Sequence, residues 1–145
     1  YAEALMMDTE GNVAEGSGEN LFMVRNGVIT TPPLNSVLEG VTRRTIMELA
    51  ESKGHQVVER TFTRDEVYTA DELFMTGTAA ELTPIREVDD RAIGSGSTGP
   101  VTRELQDTLF AVYAGELAEW RHWLTPVPDA GERAGEETAE SVTAS

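Results

Sequence analysis

At 145 residues and 15.8 kDa, with 39% hydrophobic and 26% charged residues, the chain is long enough for one domain with its own core. Eleven basic against 26 acidic residues give a formal charge of −15 and a pI near 4.4, which leaves no basic stripe for nucleic-acid phosphates or an anionic membrane surface. With no Cys, disulfides, thiolate nucleophiles and Cys-based metal sites are excluded, and two histidines, His55 and His122, do not suggest a metal centre.

Ala2 to Asp8 is a short apolar run closed by the turn residues Asp8, Glu10, Gly11 and Asn12, and it reads as a strand. Leu21 to Arg25 and Val28 to Thr31 flank Asn26-Gly27. Asn-Gly between apolar runs predicts a type I′ hairpin, because both turn positions need positive φ. Pro32 and Pro33 stop the second strand, since neither can donate to a ladder. A helix is predicted from Val41 to Lys53, with Ile46, Leu49 and Ala50 as its apolar stripe and Gly54 as a left-handed cap. His55 to Phe62 reads as a strand, and Thr63-Arg64-Asp65-Glu66 has capping-box spacing for a short helix ending near Thr69. Glu72 to Thr76 and Leu82 to Val88 are two more strands, joined through Gly77-Thr78-Ala79-Ala80, and Asp89-Asp90 turns into a short strand, Arg91 to Ile93.

Pro100 opens the last predicted helix, whose apolar face is Val101, Leu105, Leu109 and Val112. Trp120 and Trp123 are expected to dock the end of the chain onto the core. From Pro126 the sequence loses periodicity, so residues 1–125 are expected to form the domain and residues 126–145 an acidic, disordered tail. Tight turns between strands, with two main helices among them, predict an α/β or α+β domain with a mixed sheet.

Four segments could carry chemistry. Glu15-Gly16-Ser17-Gly18-Glu19-Asn20 sets two carboxylates beside glycines that permit close backbone approach. Those acids could face a cation or a ring nitrogen, or simply be solvated in a strand connection. The segment is not a dinucleotide fingerprint, because Leu21 stands where its third glycine belongs. Gly94-Ser95-Gly96-Ser97-Thr98-Gly99 does fit G-x-G-x-x-G, but no second strand ending in an acid follows at the required distance, so it reads as a turn. Leu38-Glu39-Gly40-Val41-Thr42-Arg43 places glycine where a helix begins. Free N–H groups and the helix dipole there suit an anion, and Thr42 and Arg43 could add a hydroxyl and a guanidinium; alternatively Gly40 only permits a sharp turn. Gly77-Thr78-Ala79-Ala80 could expose consecutive N–H groups to a carboxylate or phosphate, or be a bare hairpin loop. Together the pieces describe two anion holes and one carboxylate.

EGSGENLF (Glu15 to Phe22), TPPLNSVLEGVTR (Thr31 to Arg43), ADELFMTGTAAELTPIREVD (Ala70 to Asp89) and GPVTRELQ (Gly99 to Gln106) resemble, in order and spacing, the branched-chain amino acid aminotransferases. These are pyridoxal 5′-phosphate enzymes of fold type IV. The resemblance runs from Tyr1 to about Val127 and implies most of the family's large C-terminal domain, a mixed and largely antiparallel sheet closing into a pseudo-barrel. It implies that Glu15 pairs with the cofactor's pyridine nitrogen, that Glu19 and Asn20 support it, and that Leu38 packs on the ring. It further implies that Gly40, Val41 and Thr42 hold the cofactor phosphate together with the Thr78 hydroxyl, and that Thr78 and Ala79 present N–H groups to the substrate carboxylate. The implied substrates are Leu, Ile or Val with 2-oxoglutarate, and the implied setting is a cytoplasmic homodimer without nucleic-acid or membrane partners.

A transaminase also needs a lysine that bonds the cofactor and shuttles the substrate proton. The family's Schiff-base lysine lies upstream of the segment matching Tyr1, and this sequence has one lysine, Lys53, beside ten arginines. Beginning at Tyr1 inside an apolar run, the sequence reads as a piece of something longer, with a cofactor cradle and no catalytic residue of its own. D-amino-acid aminotransferase, aminodeoxychorismate lyase and a non-catalytic truncated remnant are the alternatives. Lysine avoidance with excess carboxylate also suits a halophilic origin, since solvated acids keep a surface hydrated in high salt.

Overall fold

The computed structural model describes residues 3–127. The chain divides between Ala111 and Val112 into two units. In the first, β1 (Asn20–Arg25) and β2 (Val28–Thr31) form the expected hairpin, with Asn26 and Gly27 at φ 51° and 77°. Helix α1 (Val41–Ser52) carries the chain to β3 (Gln56–Glu59), which pairs parallel to β2. Lys53 caps α1 and Gly54 takes φ 86°, as the sequence predicts. The short helix α2 (Arg64–Tyr68) starts at the expected capping box, in which Thr63 N–H donates to Glu66 Oε2 at 3.2 Å.

β4 (Glu72–Gly77) returns along the other side of β1 and hands on to β5 (Glu81–Pro84), both antiparallel to their neighbours. The five-stranded order is therefore β3-β2-β1-β4-β5, mixed and mostly antiparallel. The predicted strand Leu82 to Val88 is broken. Bonding to β4 ends with the Ile85 N–H on Leu73 O, and β6 (Glu87–Val88) pairs with β7 (Arg91–Ala92) in a sheet of its own. Asp89 and Asp90, both at positive φ, make that turn. The predicted first strand, Ala2 to Asp8, reduces to the bridge Met7↔Val13 and backbone bonds from Met6 to Glu15 and from Ala14 to Met6. The strand expected over His55 to Phe62 keeps only β3, because its partner β2 ends at Thr31, whose O takes the Arg60 N–H as the last bond, and Phe62 is buried in the core.

Strand alternation sorts the core into two faces. Leu21, Met23, Leu73 and Met75 join Val13, Phe62, Val67 and Ile93 in one apolar cluster. The opposite set contains Phe22 and Phe74, paired across strands with rings stacked at 5.0 Å, while α1 contributes buried Ile46, Leu49 and Ala50. This second face also carries the polar positions that matter below: Asn20 opposite Thr76 near one end of the β1–β4 pair, and Glu72 opposite Val24 at the other.

Helix α3 (Pro100–Tyr113) begins at Pro100 and buries Leu105, Leu109 and Val112. In the second unit, Trp120 and Trp123 lie on a 3-10 helix, Ala118–Trp123, none of whose residues is buried. Their rings pack on each other at 4.2 Å instead of disappearing into a core. Residues 128–145, most of the expected tail, lie outside the described residues. No helix among the described residues is long and apolar enough to cross a membrane.

Candidate functional site

A cavity of about 320 Å³ opens where β1 starts, β4 ends and α1 begins. Glu15, Leu38, Gly40, Val41, Thr42 and Thr78, drawn from three separated segments, all line it. Ala79 follows Thr78 on the exposed loop but is not among the lining residues.

Asn20 organises one side. Its Nδ2 donates to Glu15 Oε2 at 3.0 Å and to Leu38 O at 2.8 Å, while Leu38 N–H reaches the same Glu15 oxygen at 3.1 Å. One carboxylate oxygen is thereby fixed by two donors, and Oε1 accepts no hydrogen bond from the described residues. Gly40 completes the junction: a Cβ there would lie 2.1 Å from Asn20 Oδ1. Its φ of −75° is open to any residue, so close approach, not conformation, demands glycine. The supporting place expected for Asn20 is thus a specific one, tying strand, acid and helix start together. Glu19 instead accepts the Gly18 N–H within its own loop.

The N-terminus of α1 supplies the second feature. No side chain caps Gly40, and the first helical amide with a partner is Arg44, bonded to Gly40 O. The N–H groups of Val41, Thr42 and Arg43 remain unpaired among the described residues at the positive end of the helix dipole. Thr42 is buried at the cavity wall, whereas Leu38 and Val41 are 76% and 70% exposed, unusual for apolar side chains beside a concave site. The guanidinium suggested for Arg43 turns elsewhere. Its Nη2 donates to Pro32 O at 2.9 Å and pairs with Glu59 at 2.7 Å, clamping α1 to the sheet. Lys53 sits at the far end of α1, about 18 Å away at 1.5 Å per residue.

Across the cavity, β4 ends at Gly77 and the Thr78–Ala79 amides take no hydrogen bond among the described residues. Thr76, which sequence reasoning passed over, also lines the cavity, and its Oγ1 is buried without a partner. The lip formed by Ser17 is held by Glu3, whose Oε1 accepts from Ser17 Oγ at 2.7 Å. The hydrogen bonds of Ala4 N–H first, then of Ser17, hold the Glu3 carboxyl at a pKa of about 2.

The G-x-G-x-x-G match has a different explanation. Glu72 reaches from β4 and accepts Val101 N–H at 3.0 Å, Thr102 N–H at 2.7 Å and Thr102 Oγ1 at 2.6 Å. A Cβ at Gly99 would fall 2.1 Å from the Glu72 carboxyl carbon. The amides a dinucleotide phosphate would need are already capped by the chain's own carboxylate.

A family model described as amino-transferase class IV matches residues 1–88. The branched-chain-amino-acid aminotransferase of Pseudomonas aeruginosa is 57% identical over 122 residues, covering 82% of this chain and 40% of its own length. A probable branched-chain-amino-acid aminotransferase of Aquifex aeolicus is 47% identical over 131 residues, with 89% and 42% covered. Among solved structures, the T.th. branched-chain amino acid aminotransferase complexed with N-(5′-phosphopyridoxyl)-L-glutamate aligns with a TM-score of 0.85 at 48% identity, over 87% of this chain and 43% of its own. The chain therefore spans about two-fifths of the length of the curated relatives it matches.

Proposed function

This chain belongs to the class IV aminotransferases, and from that premise we propose that its cavity is the cofactor half of a branched-chain amino acid aminotransferase site. The observation that carries the proposal is the shared cavity of Glu15, Thr42 and Thr78. The donor set suits pyridoxal 5′-phosphate: a carboxylate with one free oxygen for a ring N–H, unpaired helix amides for a phosphate, and an exposed leucine for a planar face. The bound cofactor supplies an electron sink for the substrate Cα.

Each residue then has a task. Glu15, fixed through Oε2, keeps a proton on the pyridine nitrogen with Oε1. Val41 and Thr42 amides, with the Thr78 hydroxyl, bind the phosphate, and Gly40 leaves room for Asn20 to hold the acid in line. Leu38 covers the ring face and excludes water. Thr78 and Ala79 amides receive the substrate carboxylate. In the complete protein this cradle serves amino transfer between Leu, Ile or Val and 2-oxoglutarate, in the cytoplasmic homodimer that the family resemblance implies.

Lys53, at the opposite end of α1, does not supply the missing amine. The chain by itself is therefore a binder without turnover. Calorimetric titration with pyridoxamine 5′-phosphate is expected to give one site, weakened by Glu15→Ala, with no transamination of leucine. Failure to bind, or binding indifferent to Glu15→Ala, would overturn the proposal.

A further inference from the structure

Thr76 has no exposed surface, and its hydroxyl is one of two buried side-chain polar atoms without a partner among the described residues. Three other buried threonines of the fold are satisfied. Thr31 Oγ1 donates to Leu21 O at 2.8 Å, Thr102 Oγ1 to Glu72 at 2.6 Å, and Thr108 Oγ1 to Glu104 O at 2.8 Å. An isolated buried hydroxyl is unfavourable, and valine has the same shape without the penalty. A central strand gives no reason of its own to prefer threonine there.

The exception falls at the cavity. Thr76 lies directly opposite Asn20 in the β1–β4 register, on the same sheet face, and forms part of the wall that Glu15, Thr42 and Thr78 share. Asn20 is the residue that aims Glu15. We propose that Thr76 is a ligand-binding residue of this cavity, whose hydroxyl hydrogen-bonds a polar atom of the bound pyridoxal-type ligand. Steps between staggered χ1 wells let a threonine hydroxyl reorient toward a partner without backbone movement. The inference rests on the cofactor reading above and adds a residue to it.

The test uses opposite signs in two measurements on the whole chain. Thr76→Val removes a buried, unpaired hydroxyl, so thermal unfolding without ligand stays level or rises. The same substitution weakens pyridoxamine 5′-phosphate binding ~3- to 10-fold, the loss of one neutral hydrogen bond. Thr76→Ser keeps the hydroxyl and retains near-native affinity. A Thr76→Val melting point several degrees below wild type would show that the hydroxyl already has a structural partner and overturn the assignment. Equal affinity of Thr76→Val and wild type, or equal weakening by Thr76→Ser, would overturn it while leaving the cofactor reading standing. Absence of binding by wild type would remove that reading, and the assignment with it.

Discussion

Gly40→Ala isolates the junction on which the cavity depends. The new Cβ would meet Asn20 Oδ1 at 2.1 Å, a separation that no Cβ tolerates, so Asn20 must move. Moving it breaks the Nδ2 bonds to Glu15 at 3.0 Å and to Leu38 O at 2.8 Å. A neutral bond contributes ~0.5–1.5 kcal/mol and one to a carboxylate ~1.5–3, the latter discounted here because Glu15 is only half-buried. Against this, alanine narrows the unfolded ensemble and returns ~0.4–1 kcal/mol. The net loss is about 2 kcal/mol, a fall of roughly 4–8 °C in Tm for a domain of this size. Thermal denaturation followed by circular dichroism gives the single-mutant value. The decisive comparison is in an Asn20→Ala background, where the obstructing oxygen is gone and Gly40→Ala becomes neutral or mildly stabilising. An equal loss in both backgrounds would refute the steric argument and return Gly40 to the role of a simple turn residue.

Glu72→Ala removes the buried cap of α3 and should lower stability by about 2–3 kcal/mol in urea unfolding, while millimolar NAD leaves the wild-type melting point unchanged. A rise with NAD would restore the dinucleotide reading of the glycine-rich turn. Glu3 is depressed from 4.5 to about 2, so its contribution is complete above pH 4.5 and disappears as pH falls through about 2. The melting-point gap between wild type and Glu3→Gln should therefore be constant above about pH 5 and close across that window; a gap independent of pH would show that the ionised Glu3 carboxylate gains nothing from the Ala4 and Ser17 hydrogen bonds. With a formal charge of −15, the chain should gain thermal stability in molar KCl. A maximum in dilute buffer would contradict salt adaptation.

Local chemistry made several elements readable in advance. Asn26-Gly27, Lys53-Gly54 and Pro100 each set a boundary through their own backbone preferences, and the structure places them as expected. Elements decided by long-range pairing were harder. Leu82 to Val88 alternates plausibly as one strand, but its bonding to β4 ends with the Ile85 N–H on Leu73 O, and Glu87 and Val88 pair instead with β7. At the site, residue types suggested an acid and two anion-receptive loops, and the fold brings them to one cavity. Arg43 looked like an anion ligand beside the helix start, yet its position on the helix turns it toward Pro32 and Glu59. Thr76 looked like the end of an apolar run; only its register opposite Asn20 sets it on the cavity face. Glu72 gave no sign of capping α3, because that contact joins residues 29 and 30 positions apart.

The most direct test of the cofactor cradle is amide-resolved NMR of the chain titrated with pyridoxamine 5′-phosphate. Shifts concentrated in residues 15–20, 38–42 and 76–79, with Val41 and Thr42 amides moving most and Lys53 silent, are the predicted result. Perturbations scattered over the surface, or centred on Lys53 or on the turn before α3, would contradict it.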